Sequence, residues 1–446
     1  MILDPISYAV TVHQNGLLDL DRSSTESELV EVAKAWVLEY VPKEWQEAAR
    51  RGRSAIREIR PLAEYEAWYP TFANSGLAVA TWPRAYLGLD LIPAQARVLD
   101  TVLGPLNLGR LNPLGLNNAA PALFAYGTEE QRVRFLPPIV RNEEKWCQLF
   151  SEPGAGSDLA SLSTRAVRDG DLWMLTGQKV WTTWAHISRF GLCLARTDPQ
   201  APKRKGLTYF IVDLDDPHVE VRELRHIGGE VDFNEVWLDD VPVPDSHRLG
   251  AIGEGWRAAN ATLAGERQMV AGAGSGGVDR IGGSGADRLI RTARSNGMWN
   301  DPTMRQRLTS LYTEESVRRW TNERVRAAVK AGGTPGPAAS IGKVHQGALN
   351  QRIQLAATDL LGAGAMAWSS GASAASVAPG PSAPTDPGGW AETLPYEVKG
   401  MLRSRANTIE GGTTEVNKNV IGERVLGLPR EPDPWDGRAW HEVPRS

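Results

Sequence analysis

Cysteine is scarce in this chain: Cys147 and Cys193 are the only two in 446 residues. So few argue against a disulfide framework and fit a reducing compartment. Histidine is nearly as sparse. The seven, at positions 13, 186, 218, 226, 247, 345 and 441, show no His-x-x-x-His or Cys/His spacing, so no metal is expected. No run of 18 apolar residues occurs, and nothing should span a bilayer. Neither charge sign dominates: 49 basic against 53 acidic residues leave a net charge of −4, which offers no attraction to nucleic acid or an anionic membrane. The start, Met1-Ile-Leu-Asp-Pro, lacks both a basic segment with an apolar core and an Arg-rich amphipathic stretch, so the expected location is cytoplasmic. A Gly-x-Ser-x-Gly elbow is also missing, which leaves a hydrolase triad without an anchor.

What is present is a long chain of ordinary globular composition, 41% hydrophobic and 23% charged, enough for two or three domains with real cores. Its texture changes twice. After a poorly patterned leader at 1–24, charged and apolar residues recur at helical spacing, as in Glu28 to Glu39, and this helical domain is expected over 25–145. Thr128 is a candidate N-cap within it. Short β-branched runs then dominate 146–250: Leu172 to Thr176, Phe190 to Arg196, Leu207 to Asp213, Val219 to Leu224 and Asn234 to Pro244. Turn signals at Asp169-Gly170, Lys205-Gly206 and Asp216-Pro217 separate them, which reads as a small antiparallel sheet domain. Helical periodicity returns over 251–430. It is interrupted at 369–389 by a Gly, Ala, Ser and Pro-rich stretch that reads as a flexible insertion. A tail follows at 431–446. Taken alone, these textures give an α+β protein of more than one layer.

Two motifs carry chemistry. Residues 147–158 read Cys-Gln-Leu-Phe-Ser-Glu-Pro-Gly-Ala-Gly-Ser-Asp. Glycines here let backbone approach a ligand closely, and successive N–H groups in a tight turn form a concave donor surface. About 20 residues on, Gly177-Gln-Lys-Val-Trp-Thr-Thr supplies a flat aromatic beside hydroxyls, the wall a planar cofactor needs. A third stretch, Gly272-Ala-Gly-Ser-Gly-Gly277, satisfies G-x-G-x-x-G. It follows a helical pattern rather than a strand, and 295–298 lack the required acid, so it reads as an interruption and not a dinucleotide fingerprint.

Ser151 to Asp158, Gly177 to Thr183 and the C-terminal run Glu410 to Arg430, taken in order, resemble the acyl-CoA dehydrogenase family of flavoproteins, as a bacterial-type member. The resemblance runs more weakly from about residue 25 to 430. It implies an N-terminal helical domain, a central β-barrel-like domain and a C-terminal helical bundle. It also implies FAD as cofactor, and α,β-dehydrogenation of an acyl-CoA to the trans-2-enoyl-CoA within fatty acid or lipid metabolism. The electron acceptor would be an electron-transfer flavoprotein, and the protein would be oligomeric.

Carried over residue by residue, Gln148, Leu149, Phe150, Ser151, Gly156 and Ser157 form the flavin-facing loop. Leu149 and Ser151 would meet the isoalloxazine, and Ser157 would reach a phosphate or the CoA pantetheine. Trp181 and Thr183 lie against the ring, and Thr413 and Glu415 on the flavin nucleotide. Arg267 and Gly411 fall at substrate positions. The base that takes the α proton must sit partly out of water beside donors that hold the thioester carbonyl. Glu266, followed by Arg267, matches the family's Leu-x-x-Glu-Arg context. Glu410 is the alternative, one residue early against Gly412-Thr413. Glu266 is favoured.

The sequence departs from many relatives where they carry Arg-x-x-Phe-Gly and Gln-x-x-Gly-Gly. Here those places read Ala293-Arg-Ser-Asn-Gly-Met-Trp and Asp359-Leu-Leu-Gly-Ala-Gly-Ala. This keeps open a half-site subunit completed by a related chain. An acyl-CoA oxidase or flavin monooxygenase on the same scaffold is the other alternative.

Overall fold

The computed structural model describes residues 16–270, 285–330, 337, 339–366 and 394–444. Gly272 to Gly277, the 369–389 stretch and most of the leader fall outside the described residues.

Among the described residues seven α-helices come first: α1 (Glu26–Tyr40), α2 (Lys43–Arg51), α3 (Arg53–Ile59), α4 (Leu62–Asn74), α5 (Pro93–Leu103), α6 (Ala120–Tyr126) and α7 (Glu129–Arg141). Local chemistry starts two of them. Thr25 caps α1 and Thr128 caps α7, each in a reciprocal capping box with Glu28 or Gln131 three residues on, which satisfies two orphan donors at each end. A π-helical turn, Gly115–Ala119, leads into α6.

Eight strands follow: β1 (Trp146–Leu149), β2 (Arg165–Asp169), β3 (Leu172–Thr183), β4 (Phe190–Arg196), β5 (Leu207–Asp213), β6 (Val219–Leu224), β7 (Phe233–Pro244) and β8 (Arg248–Leu249). They form one sheet in the order β6-β7-β3-β2-β4-β5-β8, with β1 also on β4. The path is open: among the described residues β6 and β8 do not pair, so this is an open sheet and not a closed barrel. Nor is it wholly antiparallel, because β1 and β2 both run parallel to β4. Some 40 residues of crossover separate β1 from β4, long enough for a parallel return.

The two faces of the sheet belong to different cores. Phe190, Leu192 and Leu194 of β4, with Leu207, Tyr209 and Ile211 of β5, join the core of the N-terminal helices. Their alternates Cys193, Ala195, Phe210 and Val212 face a second core with Trp173, Leu175 and Val236. β4 is buried at every residue, as expected of a strand covered on both sides.

The remaining α-helices among the described residues are α8 (Gly255–Val270), α9 (Ala286–Ser295), α10 (Pro302–Lys330), α11 (Ala339–Leu361), α12 (Tyr396–Ser404) and α13 (Thr414–Arg424). Helices α9 to α11 share a third core around Leu289, Leu308, Leu349 and Ile353. Helix α8 bridges to the sheet: Ala258 and Ala259 pack in the first core, and the Thr262 hydroxyl lies 2.9 Å from the Tyr209 hydroxyl on β5.

Candidate active site

The turn after β1 is held from beneath by one buried ion pair. Lys179 of β3 is fully buried and donates to Phe150 O at 3.1 Å, Leu194 O at 2.9 Å and Glu152 Oε1 at 2.9 Å. Glu152 also accepts from the backbone N–H and hydroxyl of both Ser163 and Thr164, at 2.5–2.9 Å. Burial pushes the Glu152 carboxyl up, but the Lys179 charge and these donors more than offset it and hold it down at about 2. Every donor of the lysine and both carboxylate oxygens are matched, the condition under which a buried pair is tolerated. Glu152 and Ala155 then exchange backbone hydrogen bonds, closing Pro153-Gly154 into a tight turn. Gly156 beyond it faces open space, so the backbone there is accessible from outside.

The same strand presents the aromatic wall. Side chains of β3 point inward at Trp173, Leu175 and Lys179, then the pairing with β7 slips between Lys179 and Thr182. That bulge reverses the phase: Thr182 is buried, while Trp181 is turned out and 56% exposed. Trp181 has φ +58°, a left-handed backbone that is rare for a bulky residue and concentrated at functional positions. The Val180 N–H donates to Ser151 O at 2.9 Å, which places the first residue of the turn directly beside the wall. Ser151 and Thr183 are both partly exposed there. An open ring, a glycine turn and flanking hydroxyls are a donor set that fits a planar, phosphate-bearing group such as FAD.

Not every residue named from the sequence offers its side chain. Leu149 is fully buried in the second core, and Phe150 is 4% exposed against Tyr209, so these two have only main-chain groups to give. Gln148 points the other way and accepts from Asn118 Nδ2 at 2.8 Å. Asn118 lies in the π-helical turn, and its backbone O accepts from Thr262 of α8. This chain of contacts ties the helix carrying Glu266 and Arg267 to β1. The side chains of Glu266 and Arg267 lie outside the described residues.

Glu410 reaches the wall by another route. Its carboxylate accepts from Arg403 Nη2 at 2.8 Å and Asn407 Nδ2 at 2.9 Å. Arg403 lies over the Phe233 ring at 5.6 Å, and Phe233 meets Trp181 edge-on at 5.7 Å. The turn itself is made by Gly411 (φ +62°) and Gly412 (φ +88°), conformations glycine adopts without strain. The Thr413 hydroxyl accepts from Val416 N and so caps α13, and Glu415 is exposed in its first turn. Ser157 is exposed at the far end of the 151–158 turn.

Sequence reasoning missed the groups that do the holding: Glu152, Lys179, Phe233 and Arg403. Lys179 carried a usable signal, since a lysine at an inward strand position demands a buried carboxylate. It also missed a small cluster behind the wall. His226 Nε2 faces Asp232 at 3.4 Å and Glu230 at 3.6 Å, their donor atoms all within 4.8 Å of one another. His226 Nδ1 accepts the Gly228 N–H at 2.9 Å, which in the neutral ring puts the proton on Nε2, toward the carboxylates. In that tautomer the ring donates to Asp232 at 3.4 Å, with Glu230 alongside. The i, i+4, i+6 spacing on a loop gives no metal pattern to read.

Three family models match the chain in succession: "Acyl-CoA dehydrogenase, N-terminal domain" at 23–143, "middle domain" at 147–241 and "C-terminal domain" at 253–426. The acyl-CoA dehydrogenase FadE34 of Mycobacterium tuberculosis is 39% identical over 84% of this chain and 48% of that protein, so the chain spans about half the length of this relative. The acyl-CoA dehydrogenase IpdE1 of the same organism is 35% identical over 84% of this chain and 91% of its own length. Among solved structures, the Tcur3481-Tcur3483 steroid ACAD superimposes with a TM-score of 0.66 at 28% identity, covering 91% and 98% of the two chains. The ChsE4-ChsE5 complex from Mycobacterium tuberculosis shares the fold, at a TM-score of 0.64, 24% identity and coverage of 92% and 100%.

Proposed function

The chain belongs to the acyl-CoA dehydrogenase family, and from this premise we propose that it dehydrogenates an acyl-CoA thioester between its α and β carbons. The observation that carries the reading is the seating of the 151–158 turn against an outward-facing Trp181 by the Val180–Ser151 hydrogen bond. Ser151, Gly156, Ser157, Trp181 and Thr183 would hold FAD from the sheet side, and Thr413 and Glu415 from the C-terminal turn, with Gly411 on the substrate side. FAD, when bound, supplies the acceptor for the hydride that leaves the β carbon.

The chain's own part is to position the thioester, exclude water and take the α proton. Glu266 is the base in this reading. It follows Thr262 by one turn of α8, the helix that packs on Tyr209 and Asn118. Glu410 is the weaker candidate because its oxygens are already engaged by Arg403 and Asn407. Electrons would leave to an electron-transfer flavoprotein.

The test is anaerobic addition of straight-chain, branched and steroid-linked acyl-CoAs to the purified flavoprotein; the last is included because one structural relative is a steroid ACAD. Bleaching of the visible flavin band by at least one thioester is expected. Glu266→Gln should retain FAD and lose turnover, by about 10³-fold or more. If Glu410→Gln abolishes bleaching while Glu266→Gln keeps it, the base assignment is wrong. Reduced enzyme that reoxidises rapidly in air would instead mark an oxidase.

A second reading concerns assembly, and the exposure of Ile409, Val425, Leu426 and Leu428 at 40–66% favours it. Val425, Leu426 and Leu428 follow one another closely in the chain, and exposed apolar residues in such a run mark a protein contact more often than a free surface. Two structural relatives, Tcur3481-Tcur3483 and ChsE4-ChsE5, carry paired names. We propose that this C-terminal segment meets another subunit, a second copy or a related chain that completes the cofactor site.

A further inference from the structure

After α13 the chain leaves the C-terminal helices and crosses to the sheet, where Ala439 to Val443 dock. Trp440 N donates to Ala201 O at 3.0 Å and His441 N to Pro199 O at 3.2 Å. Trp440 Nε1 donates to Ser161 O at 3.2 Å. Trp440 is 8% exposed, and its indole covers the face of Arg196 at 4.2 Å.

Arg196, at the end of β4 and 3% exposed, is the centre of this contact. Its guanidinium donates to Ala160 O at 2.7 Å, Leu162 O at 3.1 Å and Lys203 O at 3.1 Å. Those carbonyls belong to the segment that runs out of the 151–158 turn and to the β4–β5 loop. The two are tied again at their tips, where Lys203 Nζ and the Ser161 hydroxyl both donate to Asp158 Oδ2, at 2.8 and 2.5 Å. One end of the turn is thus fixed by Glu152 and Lys179. The other end depends on Arg196, and Arg196 is closed off from water by Trp440.

We propose that residues 439–443 are a strap that positions the cofactor turn, with Trp440 as the positioning residue acting through Arg196. A guanidinium donating in its plane to three carbonyls keeps its faces free for stacking, and an indole is the strongest aromatic partner for it. Removing the ring admits water to the guanidinium, which weakens its hold on the carbonyls of 160 and 162 and loosens the far end of the turn. Trp440 does not touch reacting atoms. It sets how firmly residues 156–162 present their backbone to a bound group.

The inference rests on the reading of 151–158 as the FAD turn, and the experiment separates the two. The wild-type flavoprotein, Trp440→Ala, Trp440→Phe and a chain ended at Arg438 are compared for FAD release on dilution, amide hydrogen exchange and thermal midpoint. Trp440→Ala and the shortened chain should release FAD about tenfold faster, the scale of one buried cation–π contact. Their exchange should quicken at 156–164 and 198–206 while the 26–141 helices are unchanged, and Trp440→Phe should restore most of both. Wild-type release and wild-type protection in Trp440→Ala would overturn the strap, as would a loss of protection spread evenly over all three cores. A wild-type chain that holds no FAD under any condition overturns the cofactor reading instead, and the exchange pattern then decides the strap alone.

Discussion

At the scale of single residues, the Glu152–Lys179 pair shows how a charged group can serve a binding site without touching the ligand. A lysine with no exposure and no partner would be intolerable, so the three acceptors around Lys179 define where the turn after β1 must go. The pair also makes stability depend on pH, and the sign follows from Glu152. Its carboxyl is held at about 2, below an ordinary value near 4.5, so the folded state binds the proton later than the unfolded chain. The stabilisation is therefore complete above pH 4.5 and is lost as pH falls toward 2. Glu152→Gln should lower stability by roughly 3 kcal/mol at neutral pH, since it strands a buried lysine. The difference from wild type should shrink steadily between pH 4.5 and 2 in urea unfolding followed by intrinsic fluorescence. A gap that stays constant with pH would mean that the carboxylate charge is not what matters.

At the scale of elements, the wall depends on an irregularity in β3 rather than on its regular pairing. Strict alternation would bury residue 181 with 179 and 175; the bulge before Thr182 exposes it instead. The strand stretches and the Trp-x-Thr motif were legible in the sequence because alternation and residue type are local properties. The bulge was not, since it arises from pairing with β7, more than 50 residues away. The same limit explains why the sheet read as antiparallel: β1 and β2 acquire their parallel neighbour only through tertiary crossover. Likewise, the sequence named Leu149 and Phe150 as facing a cofactor, and only the two-sided sheet shows where their side chains go.

The left-handed Trp181 leads to a prediction for this element. Trp181→Gly relieves a backbone conformation that costs a bulky residue on the order of 1 kcal/mol, and the side chain it removes is more than half exposed. The thermal midpoint of the FAD-free protein should hold within about 3 °C, while FAD affinity falls by at least about tenfold. A large fall in the apo midpoint with unchanged FAD affinity would make Trp181 a packing residue.

At the scale of the whole molecule, two cores and the C-terminal helices each supply one side of the site. The first core carries α8 and the π-helical turn behind Gln148, the second backs the bulge, and the C-terminal helices bring the Gly411-Gly412 turn to Phe233 through Arg403. Residues 147–158, 177–183 and 410–415 lie far apart in sequence, and their order was readable, yet their convergence is a property of packing alone. The C-terminal segment then continues past the site with its apolar residues outward, Leu426 at 66% and Leu428 at 57% exposure. Two leucines so exposed lose favourable burial that a partner surface would restore, at about 1.5 to 3 kcal/mol for each side chain fully covered. The chain is therefore expected to elute at the mass of an oligomer, or to do so once a related chain is co-expressed. Leu426→Glu combined with Leu428→Glu should shift it to monomer, and FAD content should fall with it if the partner completes the cofactor site. Light scattering coupled to gel filtration, with the flavin-to-protein ratio read across the peak, measures both at once. A double variant that keeps the oligomer and its flavin would place the subunit contact elsewhere on the molecule.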